Sequence, residues 1–414
     1  MKKLLIVELC VIVAIALGFW IGRITSPFNN YTKYYQNADK AWGKVLEINT
    51  PTVTHDDPDT NRLRQVRAAC RAVFENYPDS RWADDALHLL GSLPRTDEEG
   101  FALLRRLIRE YPDSEFADDS MYAIATATYE IAEELKKTGT LESISAYYDR
   151  ALALFNQLIA TYPGSILEAD AQYNAAMCYY GRGDINIALS ELENLKIESG
   201  NNPIIYKILF QIGSIYLEQH DYENARIEFT NVVDSGDPVH SPVASFSIAQ
   251  AYFAEGKYAE AAREYQKVID IYPDTEYGKD ANFYIGWAYA NLEDYDNAIS
   301  LLEAAVDDYP DNKNTTTTKF YIAQLAEANK DPGLAISTYQ EFADDASHNY
   351  DNRLSAQYHV GRLFEQSGDI TQAVDAYEKL LKDYPEPHQN PAHQSRKITE
   401  NYIRDLRVDN IDEE

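Results

Sequence analysis

The sequence predicts an all-α fold, an α-solenoid of stacked helical hairpins preceded by one transmembrane helix. Three observations support this prediction. An apolar run of 19 residues starts at residue 4, one spacing of small, aromatic and proline residues recurs along most of the chain, and glycine and proline number only 18 and 16 among 414 residues. The chain is long for one compact core, whereas an array of repeats can lengthen without enlarging any core.

The first predicted element is the apolar run LLIVELCVIVAIALGFWIG, residues 4–22. As a helix it would reach about 28 Å, close to the hydrocarbon thickness of a bilayer at roughly 30 Å. Lys2 and Lys3 favour a cytoplasmic tail at residues 1–3, with the rest of the chain across the membrane. We therefore expect a single-pass signal-anchor that contacts the lipid bilayer.

Two processing signals are alternatives to this anchor. Ala14-Ile15-Ala16 could be a signal-peptidase site, but cleavage there would leave the apolar stretch 17–21 at the new N-terminus. Cys10 could end a lipoprotein signal, although Glu8 and Leu9 before it are not the small residues such a signal requires. The uncleaved anchor is the preferred interpretation.

The repeat is best seen around Gly286. Phe283 lies three positions before this glycine, Ala298 twelve after, Leu302 sixteen after and Pro310 twenty-four after. Glycine or alanine recurs in the same phase at Gly91, Ala125, Ala176, Gly213, Ala249, Gly286, Ala323 and Gly361. A second set of alanines follows the turns, at Ala151, Ala188, Ala225, Ala261, Ala298, Ala335 and Ala373.

This spacing indicates pairs of helices. Apolar residues at i, i+3, i+4 and i+7 form one helical stripe, and a Gly or Ala within it lets a second helix approach closely. The large residue four positions after each alanine would fill the space beside the crossing. Each hairpin of 34–38 residues leaves apolar faces that only a neighbouring hairpin can cover. We therefore expect Ala225, Ala261 and Ala373 to be buried.

The domain organisation follows from the same pattern. An irregular leading hairpin is predicted at residues 31–78 and about eight repeats at 80–386. A longer hairpin is predicted near 126–150, where 26 residues separate Ala125 from Ala151 instead of the regular twelve. Residues 391–408 are predicted as a C-terminal capping helix, which gives the array a polar end.

The pattern [Ile/Leu]-[Gly/Ala]-x2-[Tyr/Phe]…Ala-x3-[Phe/Tyr/Leu]…Pro resembles the tetratricopeptide repeat. Residues 251–275 are similar to repeats of bacterial envelope proteins, namely outer-membrane assembly lipoproteins, Tol–Pal-associated proteins and translocon accessory proteins. The resemblance covers about residues 80–386 and departs from the pattern at Pro94 and at residues 235–238. It implies a right-handed superhelix in the periplasm or another extracytoplasmic space, anchored in the inner membrane. It also implies a non-catalytic scaffold that binds other proteins of envelope assembly or secretion.

The resemblance places one face of each first helix on the concave side of the superhelix. We call the repeated Gly and Ala residues, from Gly91 to Gly361, the phase residues. The candidate partner-binding residues lie three positions before, or one after, a phase residue: Tyr122, Tyr173, Met177, Phe210, Phe246, Gln250, Phe283, Trp287, Phe320, Gln324, Tyr358 and Arg362. Aromatic rings are favoured binding anchors because they bury much area with few rotamers. The other interpretation is packing between hairpins. Trp287 is the first candidate, since the chain has only four tryptophans.

Composition excludes several function classes. The formal net charge of −30 repels phosphate backbones, so nucleic-acid binding is not expected. The three cysteines and eight histidines form no metal-ligand motif, and no catalytic or cofactor motif is present. An envelope module that stacks sugar rings of peptidoglycan or another polysaccharide on the groove aromatics is the alternative function. A purely structural spacer is a third possibility.

Overall fold

A computed structural model describes residues 25–48, 60–92, 98–200 and 202–383. Within these ranges the chain forms 18 α-helices and no strand, which confirms the all-α prediction for this part. The predicted tail at 1–3, the anchor at 4–22 and the capping helix at 391–408 lie outside the described residues. None of the helices in the described ranges combines the length and apolarity needed to cross a bilayer.

The chain divides into two compact units, residues 1–200 and 201–414. The first unit contains α1 (Thr25–Ile48), α2 (Thr60–Asn76), α3 (Ala83–Ser92), α4 (Glu98–Glu110), α5 (Ala117–Leu135), α6 (Leu141–Thr161), α7 (Glu168–Arg182) and α8 (Ile185–Ser199). The second contains α9 (Ile204–Glu218), α10 (Tyr222–Asp234), α11 (Ser241–Ala254), α12 (Tyr258–Ile271), α13 (Glu276–Asn291), α14 (Tyr295–Asp308), α15 (Thr315–Ala328), α16 (Pro332–Asp344), α17 (Tyr350–Gln366) and α18 (Ile370–Asp383). The predicted array of residues 80–386 thus extends over both units, and its superhelical course stays a prediction.

Small residues allow the two helices of each hairpin to nest, as the spacing predicts. A Cβ atom added to Gly213 would lie 2.7 Å from Phe229 Cε1, and one added to Gly361 would lie 2.4 Å from Tyr377 Cε1. Such distances leave no room for any side chain larger than hydrogen. Ala225, Ala261 and Ala373 are completely buried, which confirms the assigned phase.

The turn inside the hairpins has a recurrent left-handed residue. In three of the described hairpins this residue is a glycine with φ between 81° and 89°: Gly183, Gly256 and Gly368. In three others a larger residue adopts φ of 60–62°: His220, Glu293 and Lys330. An aspartate follows each of these larger residues and caps the next helix, for example by Asp331 Oδ1 accepting from the Leu334 backbone N–H at 3.0 Å.

The hairpin of α5 and α6 is longer than the others, at 19 and 21 residues against 14 and 13 for α15 and α16. Tyr148 is fully buried at its centre, edge-on to Tyr129 with ring centroids 5.6 Å apart, and its hydroxyl donates to Glu133. Both helices of this hairpin therefore share the added length.

The leading hairpin starts at Thr25, six residues before the predicted position. Val45 of α1 and Val66 and Cys70 of α2 form its buried centre. Trp42 stacks on Trp82, with ring centroids 5.6 Å apart, and thereby joins α1 to the residues that precede α3.

Candidate partner-binding site

The structure separates the candidate residues by exposure. Three are buried: Tyr173, Phe246 and Phe283. Eight are half-buried: Tyr122, Met177, Phe210, Gln250, Trp287, Phe320, Tyr358 and Arg362. Gln324 is exposed. The repeated position therefore does not present an equal amount of ring surface in every hairpin.

Five of the rings that lie three positions before a repeated Gly or Ala pack against a second ring of their own hairpin. The partner is the large residue four positions after the hairpin's alanine, as in Phe210 with Phe229 at 5.4 Å and Phe320 with Tyr339 at 5.3 Å between centroids. Tyr358 contacts Tyr377 in the same way at 6.0 Å. Packing within the hairpin is thus one role of this position in these five hairpins.

The following hairpin decides how much of the ring stays open. Phe246 is covered by Tyr277 and Tyr284 of α13, at centroid distances of 5.9 and 5.1 Å, and only 6% of it is exposed. In the hairpin that follows Phe320, the positions equivalent to Tyr277 and Tyr284 are occupied by the smaller Asn352 and His359 of α17. The ring centroids of His359 and Phe320 are 6.1 Å apart. Phe320 therefore keeps free surface that Phe246 has lost.

This free surface belongs to a cavity of about 500 Å³ in the second unit. Its walls come from α11, α13, α15, α16 and α17: Phe253, Trp287, Asn291, Thr316, Thr317, Phe320, Tyr321, Gln324, Phe342 and Asn352. Three of the predicted residues, Trp287, Phe320 and Gln324, meet in this cavity. The other nine do not line it, and Tyr122, Tyr173 and Met177 lie in the first unit.

Helical periodicity explains the lining. Thr317, Tyr321 and Gln324 follow the i, i+4, i+7 spacing and therefore share one face of α15. On α13, Asn291 Nδ2 donates to the Trp287 carbonyl at 2.8 Å, so the amide stays beside the indole. Tyr284 lies 4.5 Å from Trp287 between ring centroids and supports it from behind the cavity.

Among the described residues, no acidic or basic side chain lines the cavity. Burial, assisted by the nearby Tyr295, raises the pKa of Tyr321, so its hydroxyl stays protonated at neutral pH. The chain as a whole carries a net charge of −30. Five aromatic rings beside amides and hydroxyls can enclose an uncharged apolar group and hydrogen-bond to neighbouring polar atoms.

Arg362 lies outside this cavity, in a polar cluster between α15 and α17. Its guanidinium pairs with one carboxylate oxygen of Glu327, and the other carboxylate oxygen lies 3.0 Å from His359 Nδ1. Burial and the adjacent Arg362 lower the pKa of His359, so this ring is neutral at neutral pH. The charge of Arg362 is thus engaged by Glu327.

Sequence reasoning missed seven lining residues: Phe253, Asn291, Thr316, Thr317, Tyr321, Phe342 and Asn352. A helical-wheel search around Gln324 could have found Thr317 and Tyr321. Phe253, Phe342 and Asn352 come from other helices, and only the packing of the hairpins brings them to α15.

Stacked hairpins that cross at glycines and alanines define the class of α-helical repeat proteins. A tetratricopeptide-repeat family model matches residues 206–235, and the model of a family described as outer membrane lipoprotein matches residues 239–396. The chain thus contains tetratricopeptide-repeat sequence and is similar to repeat proteins of the bacterial envelope.

Solved repeat proteins are also similar to this chain. The C-terminal part of a TPR repeat-containing protein from Cytophaga hutchinsonii is 19% identical, with 65% of this chain and 98% of that chain covered and a TM-score of 0.48. A tetratricopeptide repeat protein from Parabacteroides merdae is 13% identical, with 66% and 98% covered and a TM-score of 0.40. No curated protein matches the chain in sequence.

Proposed function

We propose that this protein is a membrane-anchored, non-catalytic interaction scaffold of the bacterial cell envelope. Its second unit binds an extended segment of a partner protein, and the aromatic cavity of α11, α13, α15, α16 and α17 takes one apolar side chain of that segment. Residues 4–22 hold the protein in the inner membrane, with the repeats on the extracytoplasmic side.

The cavity is the single observation that carries this proposal. It combines Trp287 and Phe320, which have ring surface to offer, with the side-chain amides of Asn291, Gln324 and Asn352. Aromatic side chains dominate binding energy at interfaces, and amides can hydrogen-bond to the backbone of an extended peptide. Acidic side chains elsewhere in the second unit favour partners with basic residues next to the inserted side chain.

The envelope location is supported by the family match over residues 239–396, whose description is that of an outer membrane lipoprotein. The apolar run at residues 4–22 has the length needed to cross a bilayer. Together they favour a repeat body held at a membrane of the cell envelope.

Site-specific photo-cross-linking in the full chain tests the proposal. A benzophenone side chain at Thr317, which is exposed on the lining of the cavity, should form adducts with partner polypeptides. Trp287→Ala should abolish these adducts, because the largest aromatic side chain of the lining is lost. Gln324→Ala should weaken them without affecting folding, since this side chain is exposed.

The matched control is the same cross-linker at Ala304, an exposed position of α14 that does not line the cavity. Peptide mapping of the adducts should give one segment with a common apolar residue. Adducts that form equally at both positions, or that survive both substitutions, would contradict partner binding in the cavity. Adducts that contain glycan instead of peptide would favour the polysaccharide-binding alternative.

A further inference from the structure

The leading hairpin departs from the acidity of the chain. Helices α1 and α2 carry three lysines and four arginines against three carboxylates, Asp39, Glu47 and Glu75. The whole chain, by contrast, has 37 basic and 67 acidic residues. The residues between these helices, 49–59, include three aspartates and lie outside the described ranges.

The three lysines of α1 form one stripe. Lys33, Lys40 and Lys44 are separated by seven and four positions, so they project from the same side of the helix. All three are exposed, and they lie opposite the buried Ala38 and Val45. We call these residues the lysine stripe.

Lys33, Lys40 and Lys44 form no ion pair within the described part of the chain. No acidic side chain there lies within ion-pair distance of Lys33, Lys40 or Lys44. The nearest acidic neighbour in sequence, Asp39, is engaged by Arg81 at 3.2 Å and by the indole N–H of Trp82 at 2.7 Å. Within α1, Glu47 is the one carboxylate on the same side as the lysine stripe, three positions after Lys44.

Basic side chains elsewhere are commonly paired, for example Arg226 with Glu255 at 2.5 Å and Lys267 with Glu264 at 2.8 Å. Arg64 and Arg67 of α2, like the lysine stripe, have no ion-pair partner among the described residues. Helices α1 and α2 therefore carry an excess of four positive charges in the part of the chain that follows the apolar run.

We infer that the lysine stripe docks on anionic lipid headgroups, so that α1 lies along the bilayer surface. This inference rests on the proposed anchoring by residues 4–22. An anionic bilayer attracts nearby lysines, each of which favours surface association by roughly fivefold. The acidic repeats are repelled by the same surface, which leaves the leading hairpin as the part of the chain suited to contact it.

The spacing of the three lysines along α1 favours a helix that lies parallel to the bilayer surface. At about 1.5 Å per residue, Lys33 lies roughly 12 Å and Lys44 roughly 28 Å from the start of α1 at Thr25. Charge attraction decays over about 10 Å at 0.1 M salt. An upright α1 would carry Lys44 beyond that range, whereas a helix parallel to the surface keeps all three ammonium groups near the headgroups.

Lysine footprinting of the full chain in proteoliposomes tests the inference. A water-soluble acylating reagent is applied in neutral phosphatidylcholine vesicles and in vesicles with about a third phosphatidylglycerol, and each lysine is quantified by mass spectrometry. In anionic vesicles at 0.1 M salt, acylation of Lys33, Lys40 and Lys44 should fall several-fold. It should recover at 1 M salt, where the screening length is about 3 Å.

Lys279 and Lys330, which are exposed in the second unit, serve as controls and should react equally in all vesicles. Unchanged reactivity of the stripe would overturn the inference, and so would equal protection in neutral vesicles or equal protection of the controls. Flotation with neutral vesicles at 1 M salt tests the anchor separately, because it does not depend on charge. A chain that fails to float but shows stripe protection would contradict the anchor alone.

Discussion

Replacing Gly286 by alanine should destabilise the second unit, although the same change in an open helix position is favourable. Gly286 lies inside α13, where alanine is preferred over glycine by about 1 kcal/mol. A Cβ atom at this position would lie 2.5 Å from Leu302 Cγ and 2.6 Å from Leu302 Cδ2. Leu302 is fully buried, so its side chain is surrounded by other packed residues.

The gain in helix propensity and the cost of overpacking oppose each other, and their magnitudes decide whether the free energy of unfolding rises or falls. Overpacking a filled core costs about 1–3 kcal/mol. After subtraction of the helix-propensity gain of about 1 kcal/mol, the free energy of unfolding should fall by up to about 2 kcal/mol. Urea denaturation followed by circular dichroism measures this change.

Gly333→Ala is the matched control in the same unit. The nearest atom to its added Cβ is Asp331 Oδ1 at 3.5 Å, an ordinary contact, so this variant should be neutral or slightly more stable. In a Leu302→Ala background, Gly286→Ala should lose its cost because the clashing atoms are gone. A Gly286→Ala protein that is more stable than the wild type by about 1 kcal/mol, as helix propensity alone would give, would refute close nesting at this crossing. A cost that persists without Leu302 would also refute it.

Two further predictions concern the second unit. Glu293→Gly and Lys330→Gly should each raise the free energy of unfolding by about 0.5–1 kcal/mol in urea denaturation, since both residues have φ of 60°, and Gly256→Ala should lower it by a similar amount. A lower stability of both glycine variants would refute the assigned strain. Burial and Arg362 lower the pKa of His359 in the folded protein. As pH falls below 6.5, this histidine is therefore protonated in the unfolded state before it is protonated in the folded state. The free energy of unfolding should decrease from that pH downward. His359→Gln should flatten this dependence in urea midpoints measured between pH 7 and pH 5, and an unchanged slope would contradict it.

Much of the fold could be predicted because it depends on the spacing of small and aromatic residues within each hairpin. A small residue at a helix crossing is required wherever two helices nest, so its period reveals the hairpins without knowledge of their contacts. This holds for Gly361 against Tyr377 and for the buried Ala225 and Ala373. The division of the chain at residue 200 was not predicted, because the repeat phase is the same on both sides of it.

The candidate site could be predicted only in part. Trp287, Phe320 and Gln324 were found because two repeated positions mark them, three before and one after the repeated Gly or Ala. Phe283 occupies the same position as Phe320 but is fully buried, and Phe246 is nearly so. The sequence template treats these rings as equivalent, whereas their exposure depends on the side chains that the next hairpin places over them.

The sequence by itself determined that this protein is an array of helical hairpins, since the spacing of small and aromatic residues fixes which faces must be buried. Only the tertiary structure decided where a cavity stays open. Tyr277 and Tyr284 cover Phe246, whereas Phe320 lines the cavity together with Asn352 of the next hairpin. Side-chain volumes in neighbouring hairpins set this difference, and residues this far apart in sequence meet only through the packing of one hairpin on the next.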